Sequence, residues 1–230
     1  MKNFKLLSSA VATLFLLFAV GSIQICYADP NIIVAYGESQ LEPGPEQKKP
    51  QPPGLLIPYD LTKNKREIAT EEALHFLSAM VFGYTFEYKP GSKVMKTEEV
   101  FELQLRDSVH MNKVRIIGEG AWRGIYRVRI AYSIDPYTEK WLRAFTSNKL
   151  RLEEAEGTSD FFSGWWGRSV AYQDALKNLV LISAKKRYSS RPLSIKGDII
   201  LKENPEFNVG AGRWYCRIKG YVNFVEVVTY

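Results

Sequence analysis

From Tyr126 to Ile134, in YRVRIAYSI, side chains alternate in kind: Tyr126, Val128, Ile130, Tyr132 and Ile134 fall on one face, with Arg127, Arg129 and Ser133 on the other. Successive side chains of a strand point to opposite faces, so a period of two predicts a strand with one buried and one wet face, as in antiparallel sheets. The pattern returns in WYCRIKG, where Trp214, Cys216 and Ile218 alternate with Tyr215, Arg217 and Lys219. Each of these strands belongs to a run that starts with a helical pattern. Ile68, Ala69, Ala73, Phe76, Leu77 and Met80 line one face of a helix from Lys63 to about Phe82, stopped by Gly83. Tyr172, Ala175, Leu176, Leu179 and Ile182 line a second helix from Ser169, its expected N-cap, to about Ala184. A helix followed by strands, twice, predicts an α+β chain of two helix-on-antiparallel-sheet modules and points to an internal duplication.

The modules are expected at 63–135 and 169–230. Strands are expected in EEVFELQLRDSV, KVRIIGEG and GIYRVRIAYSI of the first, and in LSIKGDIILKE and RWYCRIKGYVNFVEVV of the second. Residues 29–62 hold a strand, NIIVAYGES, and a connection with six prolines in the eighteen residues Leu41–Pro58, which favours an extended path. Residues 136–168 form a connector: a short helix opened by Asp135 and Pro136, then an aromatic loop. Gly-x-Gly-x-Trp occurs twice, at Gly118–Trp122 and Gly210–Trp214. A dinucleotide fingerprint needs its glycines to lead from a strand into a helix N-terminus. Here both copies lead into a strand, so the glycines are read as a turn or bulge, with Trp122 and Trp214 anchoring strand ends.

The first 28 residues combine Lys2 and Lys5, an apolar stretch densest from Val11 to Val20, and a small-residue end, the three parts of a secretory signal. Cleavage after Ala28 starts the mature chain at Asp29; cleavage after Gly21, or retention as an anchor, is the competing reading. Cys26 follows Ile25, where a lipid-attachment cysteine usually follows a small residue, so lipidation is not expected. Cleavage after Ala28 leaves Cys216 alone, as a buried strand residue; cleavage after Gly21 leaves Cys26 to pair with it. The formal charge is +6, and loss of Lys2 and Lys5 leaves +4. This excess is spread thinly, which argues against nucleic-acid binding.

The run IIVAYGESQLEP, a proline-rich gap, the helix in EEALHFLSAMVFGYTFEYKPGS and the strand GIYRVRIAYSI follow the layout of a bacterial envelope family. The chain resembles the twenty-kilodalton envelope lipoproteins and the N-terminal domain of flagellar assembly protein T. The helix SVAYQDALKNLVLI, with Ala171, Asp174, Ala175, Asn178 and Leu179, adds to the likeness. The resemblance covers about residues 31–135 and, more weakly, 165–230. It implies a non-enzymatic accessory of the envelope or flagellar base, with a helix laid across an antiparallel sheet. Two departures stand out: the absence of a lipid-attachment site and the long proline-rich insert.

No catalytic, metal or cofactor set is expected. His75 lies one helical turn from Glu71, and one imidazole with one carboxylate makes no metal site; His110 sits in a polar loop, RDSVHMNK. Ser163 lacks a nucleophile elbow. Glu98–Glu99 and Glu153–Glu154 are adjacent carboxylates whose side chains point apart. Arg115, Arg127, Arg129, Arg217 and Lys219 suggest a basic, solvated sheet face. The sharpest surface candidate is SDFFSGWWGRS, where Phe161, Phe162, Trp165, Trp166 and Arg168 crowd a glycine-containing connector. It is read as an interaction site, with part of it stapled onto the second helix. The expected function is an exported, non-catalytic envelope protein that contacts a periplasmic partner. The alternative is a binding module for peptidoglycan glycan or a small ligand, using the aromatic connector.

Overall fold

The computed structural model describes residues 31–42, 53–57, 59–60, 62–91, 96–146, 150–190 and 192–229. The expected signal segment and most of the proline-rich connection lie outside them. The described residues form an α+β fold with strands in antiparallel sheets. In chain order the elements are β1 (Ile32–Gln40), α1 (Lys65–Val81), β2 (Tyr84–Lys89), β3 (Val100–Leu105), β4 (Val114–Trp122), β5 (Ile125–Ser133), α2 (Pro136–Phe145), β6 (Leu152–Asp160), α3 (Gly167–Arg187), β7 (Ser194–Leu201), β8 (Glu206–Gly210) and β9 (Arg213–Val228). One sheet has the order β1-β5-β4; the other runs β3-β2-β7-β9-β6, with β8 also on β9.

The two modules repeat one another's geometry at the level of single atoms. Gly37 of β1 meets α1 so closely that a Cβ there would lie 2.1 Å from the Ala69 carbonyl oxygen and 2.3 Å from the Ala73 nitrogen. Gly157 of β6 meets α3 in the same way, 2.3 Å from the Ala171 oxygen and 2.1 Å from the Ala175 nitrogen. Only glycine permits this approach. The next residue of each strand donates its amide to a helix carboxylate: Glu38 to Glu72 (2.6 Å) and Thr158 to Asp174 (3.0 Å). The residue after that donates its hydroxyl to the first carbonyl of the helix: Ser39 to Lys65 (2.7 Å) and Ser159 to Gly167 (2.6 Å). β1 and β6 are edge strands, so these contacts satisfy backbone and side-chain donors that no neighbouring strand accepts. Each module then closes with a hairpin. Arg123–Gly124 and Ala211–Gly212 both take positive φ at their two central positions (49° and 80°, 48° and 72°), the turn whose twist suits a two-residue hairpin.

The hairpin equivalence corrects the sequence reading of the two Gly-x-Gly-x-Trp copies. Gly118 and Gly120 lie within β4, beside a bulge between Ile116 and Gly118, whereas Gly212 sits in the turn and corresponds to Gly124. Trp214 is 8% exposed and anchors the start of β9, but Trp122 is 67% exposed and anchors nothing. The expected N-cap at Ser169 is also corrected. The second helix begins at Gly167, and the buried Ser169 hydroxyl accepts the Ile57 amide instead (3.0 Å). The stretch 136–168, expected to be a connector, contains α2 with its Asp135 cap and also the whole of β6.

The modules differ in how their last strand ends. β9 runs on to Val228 and pairs with β7, while β5 stops at Ser133, where Asp135 caps α2 and Pro136 opens it. β2 therefore pairs with β7, from Tyr84↔Ile199 to Tyr88↔Ile195, and extends the sheet of the second module. Between the two helices a hydroxyl chain, His75 Nε2 to Tyr84 (2.7 Å) and the buried Tyr84 to Tyr172 (2.8 Å), ties α1, β2 and α3. Ala73, Leu77, Ala175 and Leu179, expected to face the sheets, are all 0% exposed.

Candidate functional site: the aromatic connector and the arginine behind it

At the end of β6 the Asp160 carboxylate accepts the Phe162 amide (3.0 Å) and fixes a single 3-10 turn over Phe161–Ser163. Gly164 then reverses the chain at φ 76°. Its carbonyl accepts the Trp214 indole N–H (3.1 Å), and a Cβ on Gly167 would lie 2.8 Å from Cδ1 of the same indole. Trp165 meets Trp214 edge-on, with ring centres 5.7 Å apart, and Phe161 tilts against Trp214 at 5.5 Å. Packing at this corner separates the five residues that the sequence groups together. Phe161 and Phe162 are exposed (37% and 56%), Trp166 is half-buried, and Trp165 and Arg168 are interior.

Arg168 is thus placed inside the molecule, 2% exposed, and not on a contact surface. Its Nη1 donates to Glu38 Oε2 (2.9 Å) and its Nη2 to both oxygens of Glu72 (3.3 Å each). The guanidinium carbon lies 4.0 Å from the Phe207 ring centre and 4.4 Å from that of Trp165. Glu72 also accepts the Tyr59 hydroxyl (2.5 Å) on Oε1 and the Glu38 amide on Oε2, and Glu38 Oε1 accepts Arg127 Nε (2.9 Å). Burial works against the charge of Arg168, yet Glu72, Tyr59 and Glu38 hold the guanidinium above its ordinary value. Glu38, partly desolvated, is held below the usual carboxylate range by Arg168 and Arg127. Burial raises the Tyr59 hydroxyl, and the neighbouring Glu72 adds to that rise.

Every carboxylate oxygen of this cluster accepts at least one hydrogen bond. Chemically it is a crosslink: it joins β1 and α1 of the first module to α3 and β8 of the second. Buried charges persist only when paired and hydrogen-bonded in this way. Sequence reasoning missed Glu38, Glu72, Tyr59 and Phe207. The usable signal was a charge inside an apolar stripe: Glu72 lies three residues after Ala69 and four after Ile68, and Arg168 lies four before Tyr172.

The remaining sequence candidates are dispersed. His75 is half-buried and bonded to Tyr84, while Glu71 pairs with Lys63 instead; burial pushes the imidazole down to about 4. His110 is exposed in its loop. Glu153 and Glu154 point to opposite faces of β6, to Lys186 and Arg217. Cys216 is a buried free thiol whose pKa burial pushes up. Among the described residues no group of three His, Cys, Asp or Glu is placed to hold a metal ion.

No curated protein and no solved structure matches this chain. A protein-family model, whose description names no activity, matches residues 28–230. That match spans both modules and the junction between them, and the chain belongs to that family.

Proposed function

We propose that this is an exported, non-catalytic envelope protein that acts through contacts with a periplasmic protein partner, as an accessory to an assembly of the flagellar-base kind. The observation that carries the reading is the division of labour at the connector. The groups capable of chemistry, Glu38, Glu72, Tyr59 and Arg168, are occupied with one another in the interior. What the same corner presents outward is an apolar tip. Phe161 and Phe162 stand on a capped turn beside the β8–β9 hairpin: the Phe161 amide donates to the Gly212 carbonyl (3.1 Å), and Val209 of that hairpin is 51% exposed. Pre-ordered aromatic side chains with little left to immobilise are the usual anchors of protein interfaces. Export rests on the N-terminal segment with Lys2, Lys5 and the apolar stretch after them. No helix among the described residues is long and apolar enough to cross a membrane. A glycan platform on this connector would need its tryptophans outside, and Trp165 is 5% exposed.

Two measurements test the proposal. Mass spectrometry of the protein from the periplasmic fraction should find Asp29 at the N-terminus without lipid; an acylated Cys26 overturns the soluble reading. Replacing Phe161 and Phe162 together with serine should lower thermal melting only by the loss of the Phe161–Trp214 contact and remove the chain from its cross-linked envelope assembly. Retention of the double variant in that assembly would count against the tip.

A further inference from the structure

The second module serves as an internal reference for the outward face of the first. In both, the strand after the hairpin turn carries an outward arginine at the same position, Arg129 on β5 and Arg217 on β9. Arg217 stands opposite Glu156 of β6 and Glu206 of β8, and its Nε reaches Glu154 at 3.3 Å. Arg129 stands opposite Tyr36 of β1 and Gly118 of β4, and has no acidic partner among the described residues. Where β8 carries Glu206 and Asn208, β4 carries Gly118 and Gly120, and above each of these glycines there is open space to 4 Å. Where the second module has Gly210, the first has Trp122, 67% exposed. The face that side chains and ion pairs fill in one copy is a groove in the other. It measures about 520 Å³, floored by Gly118 and Gly120 and walled by Trp122, Ile125, Arg127 and Arg129.

We propose that this groove binds a carboxylated saccharide, with Arg129 pairing with the sugar carboxylate and Trp122 packing against a sugar ring. The charge of the groove sets the sign of the ligand. Its two acids are already engaged, Glu38 with Arg127 and Arg168, and Glu119 with Arg66 (2.7 Å). Arg129 remains, with Arg115 on the same face and Arg123 4.3 Å from the Trp122 ring centre. A guanidinium fork suits a carboxylate bidentately. The shape of the groove sets the class. A bound peptide gains its specificity from pockets for alternate side chains, and a floor of two bare glycines offers none. A flat floor ending at an exposed indole fits a pyranose ring, and the volume lies in the range of small-ligand sites. β4 is also an edge strand, so its outer backbone edge lies within reach of sugar hydroxyls. This site is separate from the Phe161–Phe162 tip and does not depend on it.

Calorimetric titration of the full chain tests the proposal, with tetragalacturonate as probe and maltotetraose and tetraglutamate as the neutral and peptide counterparts. Tetragalacturonate should bind, more weakly as salt rises, and at least tenfold tighter than either counterpart. Gly118→Glu, which installs the residue of the second module where a Cβ meets nothing, should weaken binding at least tenfold with melting unchanged. Arg129→Gln and Trp122→Ala should do the same, and Arg217→Gln should have no effect. The proposal is overturned by an absence of tetragalacturonate binding, by equal binding of tetraglutamate, or by a Gly118→Glu variant that binds like the parent.

Discussion

Arg66 and Arg168 hold the same place in the two modules, each on the first turn of the helix that lies over a glycine-bearing edge strand. Arg66 reaches across to Glu119 of β4 in a salt bridge at the surface (2.7 Å, 57% and 38% of the side chains exposed). Arg168 lies over Phe207 of β8, which occupies the Glu119 position, and is enclosed with two carboxylates. The backbone contacts around the two arginines are the same: glycine under helix, amide to carboxylate, hydroxyl to first carbonyl. The side chains have diverged according to what lies beyond each module. Arg66 is exposed. Beyond Arg168 there is the other module, so its charge is matched by Glu38 and Glu72 reaching over from there. Repeated backbone geometry therefore defines the unit, and one pair of diverged positions defines how two units are locked together.

Removing each arginine should give the widest separation between the modules. Arg168→Ala leaves Glu72 buried without its cation and Glu38 with Arg127 alone, and should cost about 3–5 kcal/mol in urea unfolding. Arg66→Ala breaks an exposed, solvent-screened pair and should leave urea unfolding almost unchanged. Comparable losses at the two positions would show that the junction is not the lock inferred here.

The helix faces should behave alike. Leu77 and Leu179 are both fully buried, and each change to alanine should destabilise by about 2–5 kcal/mol. A loss under about half a kcal/mol at either would mean that its helix packs by another face. The glycine contacts come next. Gly37→Ala and Gly157→Ala each drive a methyl group into helix backbone that no rotamer change can move aside, and each should cost about 1–3 kcal/mol. Gly118→Ala, with open space above it, is the control and should shift unfolding by no more than a few tenths of a kcal/mol. A Gly157 variant as mild as the Gly118 one would break the equivalence of the modules.

The sequence made the helices and the long alternating strands legible, because a one-sided core imposes periods of 3.6 and 2 that survive in the residues. β9 is a case in point: RWYCRIKGYVNFVEVV is the whole of it. β6 was not legible. LEEAEGTSD is rich in glutamate and carries glycine at its centre, a poor strand by propensity, and pairing with β9 and packing under α3 override that preference. β8 was hidden by the same effect on a shorter stretch. The glycine–tryptophan repeat misled because spacing in sequence suggested an equivalence that the turn positions contradict. The junction was the least legible part of all. Glu38, Glu72 and Arg168 are far apart in the chain, and nothing local in a sequence says that three charges inside apolar stripes will meet.

The smallest expected difference between the modules is one of pH. His75 of the first module occupies the position of Lys177 in the second, where the lysine pairs at the surface with Glu99 and Asp174. His75 instead sits among the rings of Phe76, Tyr84 and Tyr172, and burial lowers its pKa from 6.5 to about 4. Above about pH 6.5 the imidazole is neutral in both folded and unfolded chains, so it contributes nothing to the pH dependence of stability. As pH falls from 6.5 towards 4, the unfolded chain takes up a proton that the folded one refuses, and stability declines. Below about pH 4 both states are protonated and this loss levels off. His75→Gln removes the titration while leaving an amide to meet the Tyr84 hydroxyl. The carboxylates titrate in both proteins and cancel in the difference. The gap in unfolding free energy between parent and variant should therefore be constant above pH 7 and should shift by about 1–3 kcal/mol in the variant's favour between pH 6.5 and 4. Parallel pH profiles for the two proteins would show that His75 takes up its proton without leaving the fold, and that the hydroxyl chain joining the helices tolerates a charge.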